Sequence, residues 1–281
     1  MEKEKSNKGI IIVLSIVIIV LLGTIVYMFI NGNFVGNKTI DKEIEDPSKK
    51  EENVTIEDSS LSKEENLSLN DTEVQKLYNY VKADIATEEY FASNDVISNK
   101  TMKNDIKLRI AFISNDTSQY KFDGSVENGN IYIAEPNIIL NQINEIFGDD
   151  NGYNHVTEEV IILQIACNSL KYNSSRNVYE LYVGNGCGDA SNYTVNKKLV
   201  SAKKINDTLV LTEKMYVYAR DYDDSAFNVY KDLAMKQMIA SSVNTNLDDN
   251  QEYYDKGATI TYTFKLSENN NYYFDNSKIT Y

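Results

Sequence analysis

Few residues of this 281-residue chain have the types and spacing that covalent or proton-transfer chemistry needs: two Cys, one His and no Trp stand beside 42 Asp plus Glu and 21 Tyr. Cys167 and Cys187 flank the segment NSLKYNSSRNVYELYVGNG, which reads as a hairpin. In an oxidising compartment an even pair at this spacing is a disulfide that closes a loop of about 20 residues and stabilises by about 3 kcal/mol through the lost entropy of the unfolded chain. The competing chemistry is a thiolate activated by His155, but a thiol pair outside the cytoplasm normally ends as a crosslink. His155 follows Gly152, Tyr153 and Asn154 in a polar loop, without a second His and without a GxSxG or HExxH pattern, and so reads as a surface residue.

The acidic tracts are weaker signals. Asp149, Asp150, Asn151 and Gly152 have the types of calcium ligands but not the D-x-[DN]-x-[DN]-G-x5-E spacing, and the same holds for Asp221, Asp223 and Asp224 and for Asp248 and Asp249. Gly184, Gly186 and Gly188 do not open a helix after a βαβ strand, so they read as a turn beside Cys187, not as a phosphate loop. Two carboxylates suffice for glycoside hydrolysis. Glu158, Glu159 and Glu213 are the candidates, although acids in an acidic domain are ordinarily solvated. Tyr179, Tyr182, Tyr216, Tyr218, Tyr262, Tyr272 and Tyr273 fall on predicted strands, where cross-strand packing accounts for them. An aromatic face toward a glycan or protein is the functional alternative. The expectation is no catalytic residue, no cofactor and no metal site, with Cys167 and Cys187 paired. The single His and two Cys exclude a His-rich metal centre or a four-Cys zinc site. A net charge of −14 leaves no basic footprint for nucleic acid.

The elements that must position these residues divide into helices first and strands later. Asn70 with Glu73 resembles a capping box, and Val74, Leu77, Tyr78 and Val81 follow on one helical face. Met102, Ile106, Ile110 and Ile113 repeat that spacing. A third helix runs from Pro136 to just before Gly148, with Leu140, Ile143 and Phe147 on its apolar side. From Ala258 to Leu266 apolar residues alternate with Thr and Lys, the period of a half-buried strand, and the turn SENNN returns the chain through Tyr272 to Phe274. Residues 179–183, 197–205 and 208–221 read as successive antiparallel strands, with a turn at Asn206 and Asp207. Residues 156–166 fit neither period, and 222–257 are unclear apart from a short helix around Val229 to Ile239. Helices followed by antiparallel strands predict an α+β domain, with the helices packed on one face of a curved sheet.

Upstream lies a segment of a different character. Gly9 to Ile30 is an uncharged apolar run of 22 residues, against the roughly 20 that cross a bilayer as a helix. It exceeds the apolar region of a cleavable signal peptide and lacks a small-residue cleavage site, so it reads as an uncleaved transmembrane anchor with the lipid bilayer as its partner. Lys3, Lys5 and Lys8 bias the N-terminus to the cytoplasm and the bulk of the chain to the outside. The expected organisation is a cytoplasmic tail over 1–8, a transmembrane helix over 9–30, a flexible acidic linker over 31–70 and an extracytoplasmic domain over 71–281. The linker is too polar and charged to offset its ordering entropy. The domain carries a net charge of −10, which disfavours adhesion to anionic polymers or lipid.

The order of Lys-bearing tail, Ile-rich anchor, acidic linker, LSLNDTEVQKLYNYV, a helix ending NEIFG, the CG-type second Cys, KKINDTLVLTEK and the closing YTFKLSENNNYYF hairpin resembles uncharacterised single-pass surface proteins of low-GC Gram-positive bacteria. That resemblance implies an exported domain similar to NTF2-like or cystatin-like folds and assigns no catalytic residues. The functional expectation is a non-catalytic binding domain at the cell envelope whose partner is a protein or a cell-wall component. The alternatives are an extracytoplasmic hydrolase of wall glycan, or a bitopic subunit associating through Ser15, Gly23 and Thr24.

Overall fold

A computed structural model describes residues 63–163, 167–184, 192–220, 226–243 and 250–281. In chain order the elements are β1 (Glu64–Asn66), α1 (Thr72–Val81), α2 (Ile85–Ser93), β2 (Val96–Ser98), α3 (Asn104–Ile113), β3 (Lys121–Val126), β4 (Gly129–Ala134), α4 (Pro136–Phe147), β5 (Val160–Leu163), β6 (Cys167–Asn173), β7 (Val178–Gly184), β8 (Tyr193–Ile205), β9 (Thr208–Arg220), β10 (Phe227–Tyr230), β11 (Met238–Val243), α5 (Gln251–Lys256), β12 (Ala258–Leu266) and β13 (Tyr272–Thr280).

The strands form two antiparallel sheets. The larger runs β1-β8-β9-β12-β13-β2, with β10 and β11 attached to β9, and the smaller runs β3-β4-β7-β6-β5. This corrects the expectation of helices on a single curved sheet: β structure predominates and is divided in two. The strand over 179–183, expected beside 197–205, instead pairs with β4 and β6 in the smaller sheet. The β3–β4 hairpin was not apparent from pattern because β3 is a mostly exposed edge strand, KFDGSV, whose exposure leaves no alternation to read.

Alternation does account for the larger sheet. Ala258, Ile260, Tyr262 and Phe264 of β12 are fully buried, in register with Met215, Glu213, Leu211 and Leu209 of β9. Each wholly buried large apolar side chain contributes about 1.5–3 kcal/mol. Helices α1 to α4 and the inner faces of both sheets share one core. Within it α4 packs on β13 and on α3, and α3 packs on β5, so the helical layer joins the sheets. Asn residues supply left-handed turns: Asn128, Asn177, Asn206 and Asn270 have φ of 64°, 53°, 52° and 61° at the β3–β4, β6–β7, β8–β9 and β12–β13 reversals. After Gly, Asn tolerates that region best.

The first helix is capped one residue later than expected, by Asp71, whose carboxylate accepts from the amides of Glu73 and Val74. The short helix expected around Val229 to Ile239 is instead the β10–β11 hairpin, and Phe227 packs edge-on against Tyr218 of β9 at 5.1 Å. Residues 156–166 contain β5.

Two further expectations are corrected. No helix among the described residues is long and apolar enough to cross a membrane; α4 has 12 residues, short of the roughly 20 a span requires, and the run 9–30 lies outside the described residues. No disulfide is formed among the described residues. Cys167 begins β6, whereas Cys187 lies outside them. The tract expected as linker already contains β1 at its end, where Lys203 bridges Glu64 at 2.6 Å and Leu67 and Leu69 pack against the core.

Candidate functional site

An open polar cleft of about 780 Å³ lies between the C-terminal half of α4, the loop after it and the β12–β13 hairpin. Its position follows from how α4 stops. Pro136 opens the helix, and Gly148, at φ 76°, closes it by donating its amide to the Asn144 carbonyl at 2.9 Å. Asn151 then fixes the loop: its Nδ2 donates to Gly148 O and to Asn144 Oδ1, and its Oδ1 accepts from the Tyr153 amide. Lys107 of α3, wholly buried, donates to the Asn151 carbonyl, and burial pushes its ammonium pKa down. Across the cleft the hairpin turn is closed by Ser267 N–H to Asn271 O at 2.8 Å and by Asn270 N–H to Ser267 O at 3.0 Å. Asn99 ties the walls together, donating its amide N–H to Asp275 O and its Nδ2 to Phe147 O.

The two lysines that line this cleft are held in ion pairs with aspartates. Lys100 bridges Asp150, Lys265 bridges Asp275 at 2.9 Å, and Lys76 bridges Glu145 at 3.1 Å. The hydrogen bond from Lys100 holds the Asp150 carboxyl below its usual range, and the bond to Asp275 raises the Lys265 ammonium. Asn141, Asn144, Asn271 and the ring of Tyr273 complete the polar lining.

A smaller cleft of about 420 Å³ brings together His155, Glu158, Glu159, Asp105 and Arg109. His155 is exposed, as expected, but it is not isolated. Its ring stacks on Tyr172 with centroids 4.0 Å apart, and its Nδ1 lies 2.7 Å from the Tyr179 hydroxyl, which is 2.8 Å from that of Tyr153. Burial lowers the His155 pKa and raises that of Tyr179. His155 Nδ1 and the hydroxyls of Tyr179 and Tyr153 thus form a short hydrogen-bonded chain beside the stacked rings. Arg109 bridges Asp84 at 3.1 Å, and Asp84 also caps α2 through the Thr87 amide. Glu159 accepts from the Ser169 hydroxyl.

Glu213 is in neither cleft. It is wholly buried under α1 and α2, accepting from Tyr78 Oη at 2.5 Å and Tyr262 Oη at 3.0 Å, with Lys197 Nζ 3.6 Å away. Lys197 also donates to the Glu88 carbonyl at 3.1 Å. Burial first, and the Glu213 charge second, push the Tyr78 and Tyr262 hydroxyls well above their ordinary pKa. A carboxylate met by protein on both oxygens and closed to solvent fixes helices to the sheet and reaches no substrate.

The structure thus places Glu158 and Glu159 together and separates them from Glu213. Of the tyrosines singled out by sequence, Tyr179, Tyr216 and Tyr262 are wholly buried. They lie in separate parts of the fold and do not form one face, Tyr216 packing under Tyr253 and Tyr254 of α5. Asp149, Asp150 and Tyr273 line the large cleft. Asp221, Asp223, Asp224, Asp248, Asp249, Gly186 and Gly188 lie outside the described residues, among which no group of three His, Cys, Asp or Glu side chains is arranged to hold a metal. Sequence reasoning missed Asn99, Asn141, Asn144 and Asn271. Pro136 to Gly148 and the SENNN turn were both legible, but their meeting across more than 100 residues was not. Comparison with protein-family models, with curated proteins and with solved structures finds no match.

Proposed function

We propose that residues 63–281 act as a non-catalytic binding domain whose large cleft receives a cell-wall component. One observation carries this reading: a polar cleft of about 780 Å³ whose two lysines are held in ion pairs with aspartates. The volume lies within the roughly 300–1,000 Å³ of small-molecule sites. A general acid needs a raised pKa to hold its proton near neutrality, and the shift at Asp150 runs the other way. The uncharged run from Gly9 to Ile30 supports a location at the cell envelope.

Co-sedimentation of the full-length chain with purified cell walls tests the reading. The wild-type chain should sediment, the Asn141→Ala/Asn271→Ala double variant should remain largely in the supernatant, and no soluble wall fragments should accumulate. Release of fragments with time contradicts the non-catalytic reading, and equal sedimentation of both chains contradicts the assignment of the cleft.

A further inference from the structure

Resting on that assignment, we infer that the ligand of the large cleft is an oligosaccharide without negative charge. The charges exclude an anion first. The two lysines of the lining, Lys100 and Lys265, are each neutralised by a neighbouring aspartate, while Asp149 and Glu268 add further acid. A phosphate or carboxylate polymer would have to break an existing pair and sit against surplus negative charge.

Besides that surplus acid, the groups left for recognition are amide and aromatic. Asn141, Asn269 and Asn271 line the cleft, each offering a carbonyl acceptor and an NH₂ donor on one short side chain. Asn144 has its Oδ1 engaged by Asn151, which directs its remaining function to donation. Sugar hydroxyls are donors and acceptors at once, so a row of amides satisfies them without burying charge. Tyr273 supplies the complementary apolar surface. Its ring lies against Gly148, where an added Cβ would come to 3.0 Å from Cδ2, so the missing side chain at 148 leaves room for the ring. A rigid aromatic plane beside polar groups packs the CH face of a pyranose while the amides take its hydroxyl edge.

Calorimetric titration of the full-length chain with three oligomers of equal length tests this: a neutral N-acetylglucosamine oligomer, its de-acetylated cationic form and an anionic oligogalacturonate. The neutral and cationic oligomers should both bind saturably and at least about ten-fold more tightly than the anionic one, and Tyr273→Ala should weaken binding of the neutral oligomer by about ten-fold or more. Asn141→Ala, at an exposed helical position that tolerates Ala, should weaken it several-fold with an unchanged melting temperature, which separates lost contact from lost fold. Tighter binding of the anionic oligomer that still depends on Tyr273 and Asn141 overturns the ligand class and leaves the cleft in place. Neutral binding indifferent to both variants overturns the cleft. Absence of binding by all three overturns the saccharide inference, while wall sedimentation that still depends on Asn141 and Asn271 would preserve the binding-site reading.

Discussion

Under the larger sheet, Glu213, Lys197, Tyr78 and Tyr262 meet one another where water does not reach. Around the cleft, Asp150, Lys100, Asp275 and Lys265 pair at the surface beside the ring of Tyr273. The side-chain types are the same and the solvent differs. In the dry network every polar atom must be satisfied by protein, so each member carries the desolvation of the others. In the wet cleft the pairs are screened and contribute little to stability, so the surrounding amides are free to exchange water for a ligand. Polar residues in the first region hold the fold, and those in the second are open to the recognition proposed for the cleft.

Substitutions that sort along this line should sort by stability or by binding. The largest loss is expected for Glu213→Ala, which leaves Lys197 buried beside a cavity; breaking a buried pair from one side costs about 3–5 kcal/mol, read by chemical denaturation with ligand sites untouched. Tyr262→Phe removes one hydroxyl from the same carboxylate and should cost about 1–3 kcal/mol. Lys265→Ala, at an ion pair exposed on one side, should cost no more than about 1 kcal/mol; a loss as large as that of Glu213→Ala would erase the distinction. The smallest effect concerns His155. Its folded pKa is below 6.5 because burial disfavours the imidazolium, so its contribution to stability is present above about pH 6.5 and is lost as pH falls through the folded value. Tyr172→Ala removes the ring stacked on His155 and admits water to it, and the His155 titration followed by NMR should move upward toward 6.5.

Much of the dry region was legible from sequence and most of the wet one was not, for a physical reason. Leu209, Leu211, Met215 and Val217 alternate on β9 and Glu213 falls in their buried phase, but its charge reads as that of a solvated or catalytic carboxylate, so its burial is a finding of the structure. Lys197 sits in the same phase between Val195 and Leu199. The period of α4 and the β12 alternation were likewise local signals that reflect one buried face. Helix α2 gave no such signal, because IATEEYFAS has no apolar side distinct from a polar one. Division into two sheets depends on which strands pair across long separations, and alternation is silent on that. The cleft has the same origin: Asn99 of one connection bonds to Phe147 and to Asp275, joining a helix end to a hairpin. No spacing within either segment encodes that meeting.

Hydrogen exchange read by mass spectrometry on the full-length chain, with and without the neutral oligosaccharide at saturation, tests the central claim most directly. Protection should rise in peptides covering 141–151 and 265–275 and stay unchanged in those covering 153–160 and 209–217. Protection centred on 153–160, around His155, with the hairpin unchanged, would contradict the assignment of the large cleft as the binding site.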